Sequence, residues 1–351
     1  MITRFNHQLN KTLPEESWKK LLASGIQNLH ELASFLNLDA NALLPEGTQQ
    51  RDLEAGFMTR IPLPYASRIK KGDLHDPLLR QVLPSLYEQQ SATGFVADPL
   101  DEAHFNPING LLHKYASRAL LVASSACPVH CRYCFRRHFG YTDNNPGKER
   151  WAQVFDYLRA DTGINEAILS GGDPLSAPDS HLAWMAEQLA SIPHIRRLRI
   201  HTRFPVVIPQ RVNAELLDWL QALSLQKVVV LHINHPAEID GQVIHALNRL
   251  KAANVTLLNQ SVLLKGVNDS AEVLAELSEA LFAAGVLPYY LHLTDKVANT
   301  AHFDIQEAEA LTIFGQLQAL LPGFLVPKLV REIPNRASKT IIATEIGGAY
   351  S

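Results

Sequence analysis

The only cysteines of this 351-residue chain, Cys127, Cys131 and Cys134, lie within eight residues of one another. An odd, tightly gathered set cannot build a disulfide framework, and thiols serving only as small core residues would be scattered along the chain. The spacing is C-x3-C-x2-C, in the string Cys127-Pro-Val-His-Cys131-Arg-Tyr-Cys134. Three thiolates from one loop suit three corners of an iron–sulfur cube, leaving the fourth iron open to a small molecule. The other reading is a Cys3His zinc site that recruits His130 or His138, although zinc ligands usually arrive in pairs from separated segments. Both readings place a metal centre in a reducing compartment.

Composition narrows the class. Hydrophobic residues make up 46% and charged residues 19% of the chain, as in an ordinary globular enzyme with enough length for a large core. The balance of 32 Lys+Arg against 35 Asp+Glu, a net of −3, gives no electrostatic reason to expect a nucleic-acid or membrane partner. The opening MITRFNHQLN has no apolar signal core, and no apolar run is long enough to cross a bilayer. The sequence reads as soluble and cytoplasmic.

Residues 1–110 show helical spacing at Leu13–Ala23 and Asn28–Leu36 but no regular alternation of strands and helices, and read as an N-terminal helical region. From Arg118 the pattern changes. Short β-type runs at Ala119–Ser124, Ala167–Ser170, Arg197–His201, Lys227–His232, Thr256–Gln260 and Pro288–His292 alternate with helical patterns at Arg150–Arg159, Leu182–Ser191, Ala214–Leu223, Gly241–Ala253 and Ala271–Ala284. Repeated βα units of about 30 residues predict an α/β fold, a partial (βα)6 TIM-like barrel over 111–320, with a short C-terminal segment at 321–351. An open doubly wound sheet is the structural alternative. The strand ends carry polar residues, which is where such folds place chemistry: the cysteine loop, Gly171-Gly172-Asp173, His201-Thr202-Arg203, His232 to His235, Asn259 to Ser261 and His292 to Asp295.

The C-x3-C-x2-C loop after the first barrel strand, with Tyr133 before the third cysteine, resembles the signature of radical S-adenosylmethionine enzymes. Four further strings narrow the likeness: Cys131-Arg-Tyr-Cys134-Phe-Arg-Arg137, Leu169-Ser-Gly-Gly-Asp-Pro-Leu175, Asn234-His-Pro236 and Asn259-Gln-Ser-Val-Leu-Leu-Lys-Gly-Val-Asn-Asp269. With Asp98-Pro-Leu100 and Gly110-Leu-Leu-His-Lys-Tyr115, they resemble the lysine 2,3-aminomutases from about residue 98 to Lys339. The resemblance implies a radical SAM barrel and an isomerase. Its 4Fe–4S cluster on Cys127, Cys131 and Cys134 would cleave S-adenosylmethionine, and pyridoxal 5′-phosphate would carry the amino group from C2 to C3 of L-lysine. A related radical aminomutase acting on another amino acid is the alternative.

Site residues follow from the same resemblance. Gly171, Gly172 and Asp173 would meet the methionyl amino group of S-adenosylmethionine, and Gln260 would contact the same cofactor. Arg136 would grip the substrate α-carboxylate, a task that suits a planar guanidinium. Lys339 would carry pyridoxal phosphate, with Tyr115 and Arg118 near its phosphate. The family has four glycines between the proline and the lysine of this turn, and Pro334-Asn-Arg-Ala-Ser-Lys339 replaces all four. Asp295 and Glu332 would hold the distant ammonium, Glu332 standing where the family has aspartate. The chain ends twelve residues after Lys339 and lacks the extra cysteines of longer clostridial-type members. It thus resembles the short bacterial form that makes (R)-β-lysine for elongation factor P. That implies free lysine as substrate, a separate β-lysine ligase, and an electron donor such as flavodoxin. Homo-oligomer formation is a further possibility.

Overall fold

The computed structural model describes residues 17–140 and 148–342. Nine strands in these residues form one sheet whose spatial order is the chain order. They are β1 (Leu111–Tyr115), β2 (Arg118–Ser124), β3 (Glu166–Gly171), β4 (Arg197–Thr202), β5 (Gln226–Leu231), β6 (Val255–Val262), β7 (Leu287–His292), β8 (Lys328–Arg331) and β9 (Thr340–Ile341). Strands β2 to β8 run parallel, and β1 and β9 are antiparallel edges. The six parallel steps are bridged by helices at Lys148–Ala160, Asp179–Ala190, Ala214–Ala222, Gly241–Ala252, Ala271–Ala283 and Glu307–Leu320. A doubly wound sheet reverses its strand order at a switch point; here the order never reverses, so the winding is that of the expected partial (βα)6 barrel. It is open: among the described residues no backbone pairing joins β1 to β9.

Helix starts follow capping chemistry. The side chains of Asn213, Asp240 and Ser270 accept from the amides of Leu216, Val243 and Val273, each satisfying a donor that the first turn leaves without a helical partner. The helical spacing from Leu13 meets a helix at Trp18–Ala23, and residues 13–16 lie outside the described residues. Trp18 meets Phe204 edge to face at 5.4 Å, and the apolar residues of the N-terminal helices share one core with the barrel. No helix among the described residues is long and apolar enough to cross a membrane.

Buried parallel strands usually read as unbroken apolar runs. Here β4 and β6 alternate instead, with Leu198, Ile200, Leu257 and Asn259 buried and Arg199, His201, Leu258 and Gln260 half-buried between them. Polar members of the half-buried set meet inside the barrel. Gln260 lies 2.8 Å from His232, whose ring is 6.4 Å from that of His201, and Tyr290 stands edge-on to His292 at 5.6 Å. The inner face is therefore a polar lumen.

Three strands escape the sequence patterns, β1, β8 and β9, and so does the helix at Glu307–Leu320. In the β8–β9 hairpin, Arg331 pairs with Thr340 and Val330 with Ile341, so Glu332 and Lys339 form the next cross-strand position. The seven-residue spacing between them is the register of this hairpin. Its loop turns through Asn335, which takes φ +64°, a left-handed conformation that asparagine tolerates better than most residues. This supports the turn without the family's glycines.

Candidate functional site

The cysteine loop leaves the C-terminal end of β2 and is braced by the end of β3. The amides of Gly172 and Asp173 donate to the carbonyls of Ser124 and Ala126, each at 2.8 Å. Both glycines are dictated by this approach. A Cβ on Gly171, which has φ +124°, would lie 2.3 Å from the Ser124 carbonyl oxygen, and one on Gly172 would lie 2.6 Å from that of Ala126. The two glycines that the resemblance assigns to S-adenosylmethionine are also what lets the cysteine loop approach this turn. Because the obstructing atoms are backbone, Gly172→Ala is expected to lower stability by about 1–3 kcal/mol. It should also reduce the iron bound per chain, which thermal melts and iron assay will measure.

Burial and the neighbouring thiols push the Cys134 thiol up to about 11, and the same causes raise Cys127 well above its ordinary value. Metal binding at these sulfurs must therefore release protons. Among the described residues no three His, Cys, Asp or Glu side chains converge on a single-ion position. The two zinc-candidate histidines are engaged elsewhere, His130 Nδ1 with the Met58 carbonyl at 2.7 Å and His138 Nε2 with Asn299 Oδ1 at 3.0 Å. Three soft thiols from one loop, with both candidate fourth ligands turned to other partners, fit a cluster in which each sulfur takes a different iron.

Asp173 is an internal fastener. Its carboxylate accepts from the Leu175, Arg203 and Phe204 amides and from the Thr202 hydroxyl at 2.7 Å, tying the end of β3 to that of β4. Burial raises its pKa to about 6 against the pull of those hydrogen bonds. Arg136 is also engaged. Its Nε and Nη2 grip both oxygens of Glu102 at 2.8 and 2.7 Å, and Nη1 reaches Ser170 Oγ at 3.1 Å. Glu102 sits on a single 3-10 turn that follows Asp101, itself at φ +50°. This turn belongs to a strap that runs from Val96, which bridges to Val297 beyond β7, past Leu100, whose carbonyl accepts from Lys114.

Lys339, Glu332, Asp295 and Tyr115 come together, with Arg118 stacked over the Tyr115 ring at 4.1 Å. Lys339 Nζ donates to one Glu332 oxygen, and Lys114 Nζ, 3.2 Å away, to the other. Burial alone would raise Glu332, but the two ammonium groups outweigh it and hold its carboxyl down at about 2. Asp295 goes the other way: burial, reinforced by the Glu332 charge and opposed by Lys339, pushes it up to about 7. Burial and nearby cations hold His201 and His292 well below the ordinary imidazole value and His232 at about 4, so all three are neutral. The Nε2 atoms of His201 and His292 are buried without a hydrogen-bond partner, as expected of a lumen lined for a ligand.

Sequence reasoning missed Glu102 and gave Lys114 no role of its own, and it saw Arg203 only as part of a polar strand end. The three lumen histidines were visible only as polar strand ends.

Comparison with known proteins agrees with this architecture. A profile of the Radical SAM superfamily matches residues 121–277. The chain is 49% identical over 331 residues to the L-lysine 2,3-aminomutase of Haemophilus influenzae, covering 94% of this chain and 96% of that one. It is 48% identical over 329 residues to the Escherichia coli K12 protein of the same name, with coverages of 94% and 95%. It is 34% identical over 324 residues to the L-lysine 2,3-aminomutase of Clostridium subterminale, covering 92% of this chain and 77% of that protein. Near-complete coverage at almost half identity, with the three-thiol loop at the end of the first parallel strand, shows that the chain belongs to the lysine 2,3-aminomutase family of the Radical SAM superfamily.

Proposed function

We infer that this protein converts L-lysine to β-lysine by moving the amino group from C2 to C3, with pyridoxal phosphate joining the 4Fe–4S cluster and S-adenosylmethionine that the family implies. The observation that carries this reading is the meeting of one amine, Lys339, with two acids, Glu332 and Asp295, in the lumen of the cysteine-loop barrel. When bound, the cluster and S-adenosylmethionine supply a hydrogen-abstracting radical, and pyridoxal phosphate eases the nitrogen shift.

The chain's own residues orient these parts. Cys127, Cys131 and Cys134 hold the cluster, and the Gly171–Asp173 turn and Gln260 flank S-adenosylmethionine. Lys339 attaches the pyridoxal group, with Tyr115 and Arg118 toward its phosphate. Arg136 takes the substrate α-carboxylate, and Glu332 and Asp295 take the distant ammonium. In the structure the Lys339 ammonium rests on Glu332. The electron comes from a low-potential donor such as flavodoxin, and the β-lysine goes to the ligase that modifies elongation factor P.

The test is anaerobic reconstitution with iron, sulfide, pyridoxal phosphate, S-adenosylmethionine, a strong reductant and L-lysine, followed by mass spectrometry. β-Lysine in the complete mixture, and none without S-adenosylmethionine, is the expected result. Its absence despite a reducible cluster and bound pyridoxal phosphate overturns the substrate assignment. Asp295→Ala is expected to remove a charge-assisted hydrogen bond of about 1.5–3 kcal/mol, raising the lysine KM roughly 10- to 100-fold with the cluster spectrum unchanged. Because an ammonium binds the ionised carboxyl, the wild-type KM should rise as pH falls below about 7, and the variant should lose that limb.

A further inference from the structure

Arg203 follows β4 directly and is almost wholly buried. Its Nη1 lies 2.7 Å from the Sγ of Cys131, the middle cysteine of the loop. Its Nη2 donates to Gln81 Oε1 at 2.7 Å and to Glu238 Oε2 at 2.8 Å. The guanidinium carbon sits 5.3 Å from the Tyr65 ring centre and 5.7 Å from that of Tyr133, and the Arg203 amide is pinned to Asp173 at 2.8 Å. Glu238 is fixed in turn by the Asn234 and His235 amides and the Gln81 side-chain amide. A buried arginine paired with one carboxylate is nearly neutral as a unit, yet it directs a cationic N–H at a single sulfur.

We propose that Arg203 is a positioning residue that raises the reduction potential of the cluster through its hydrogen bond to Cys131, with Glu238 setting how much positive charge that sulfur feels. This rests on the reading that the three cysteines hold a 4Fe–4S cluster. Reduction adds one electron, delivered by an external reductant, and transfers no proton; Arg203 stays protonated throughout. The added charge resides on iron and sulfur, so a cationic donor stabilises the reduced form more than the oxidised one. The two partners should therefore act with opposite signs. Neutralising both removes the cation from Cys131 and lowers the potential, whereas neutralising Glu238 alone leaves the cation uncompensated and raises it.

The experiment is a redox titration of the reconstituted full-length protein, without S-adenosylmethionine or substrate. The reduced cluster is read by electron paramagnetic resonance, and iron per chain is measured on each sample. For Arg203→Gln/Glu238→Gln the equilibrium constant for reduction is expected to fall about tenfold, a shift of about 59 mV for one electron. Glu238→Gln should shift the potential upward. A merely structural role predicts the same sign, or none, for both variants. A wild-type potential in either iron-loaded variant overturns the proposal, and if only one variant loads iron its shift decides alone. Failure of the wild-type chain to bind a cluster would instead overturn the reading of the cysteines.

Discussion

Lys339→Met is expected to cut β-lysine formation at least a hundredfold, the lower end of what a positioned catalytic group contributes, while iron content and reductive cleavage of S-adenosylmethionine stay at wild-type levels. The methionine keeps an unbranched side chain of nearly the same length and removes its amine. Borohydride should then no longer fix a pyridoxyl group to the chain, and peptide mass spectrometry reads that loss directly. A retained adduct would move the attachment to another lysine, Lys114 being the nearest candidate on Glu332. The variant also has an acid signature. Glu332 is held at about 2 by Lys339 and Lys114, below its ordinary 4.5, so it contributes stability above about 4.5 that is lost as pH falls toward 2. Removing Lys339 raises the Glu332 carboxyl and shrinks that contribution. The difference in melting temperature between the two proteins should therefore be present at pH 6 and narrow toward pH 3.

Arg136→Ala is expected to be severe twice over. It would deprive the substrate carboxylate of the guanidinium proposed to grip it, and it leaves Glu102 as a buried carboxylate without its bidentate partner. Breaking a buried pair from one side typically costs about 3–5 kcal/mol of stability. The double variant Arg136→Ala/Glu102→Ala removes both charges and should recover much of the lost melting temperature. It should not recover the lysine KM, because the carboxylate grip is still missing. If KM returned together with stability, Arg136 would be a structural partner of Glu102 and no part of substrate binding.

The contrast between these residues shows where sequence reading succeeds. The cysteine loop was legible because its chemistry is local, with three ligands inside eight residues. The βα units were legible because strand runs alternate with capped amphipathic helices. Glu102 and Lys114 were not: their partners Arg136 and Glu332 lie 34 and 218 residues away, and a single charge on a lone 3-10 turn or a five-residue strand has no periodicity to mark it. Short strands such as β8 and β9 give too few residues for alternation to register, so the pairing of Glu332 with Lys339 emerged only from their register. The family likeness supplied Lys339 itself, which composition and spacing would have left as one more lysine near a terminus. Gly171 and Gly172 entered through the family likeness, and the close approach to the cysteine loop that also requires them shows only in three dimensions.

The open barrel has a mechanical consequence. Between β1 and β8 the ring of strands is joined by side chains, Lys114 reaching Glu332 with Tyr115 beside it, rather than by a ladder of amides. Glu332, one of the two acids proposed to grip the lysine ammonium, is thus also part of the clasp of the barrel. Each ligand that enters or leaves must re-partner that clasp, so occupancy of the site and tightness of the whole ring rise and fall together. Amide hydrogens of β1 and β9, at the two free margins, should then exchange more slowly when the lumen is filled, while those of central β4 and β5 keep their pace.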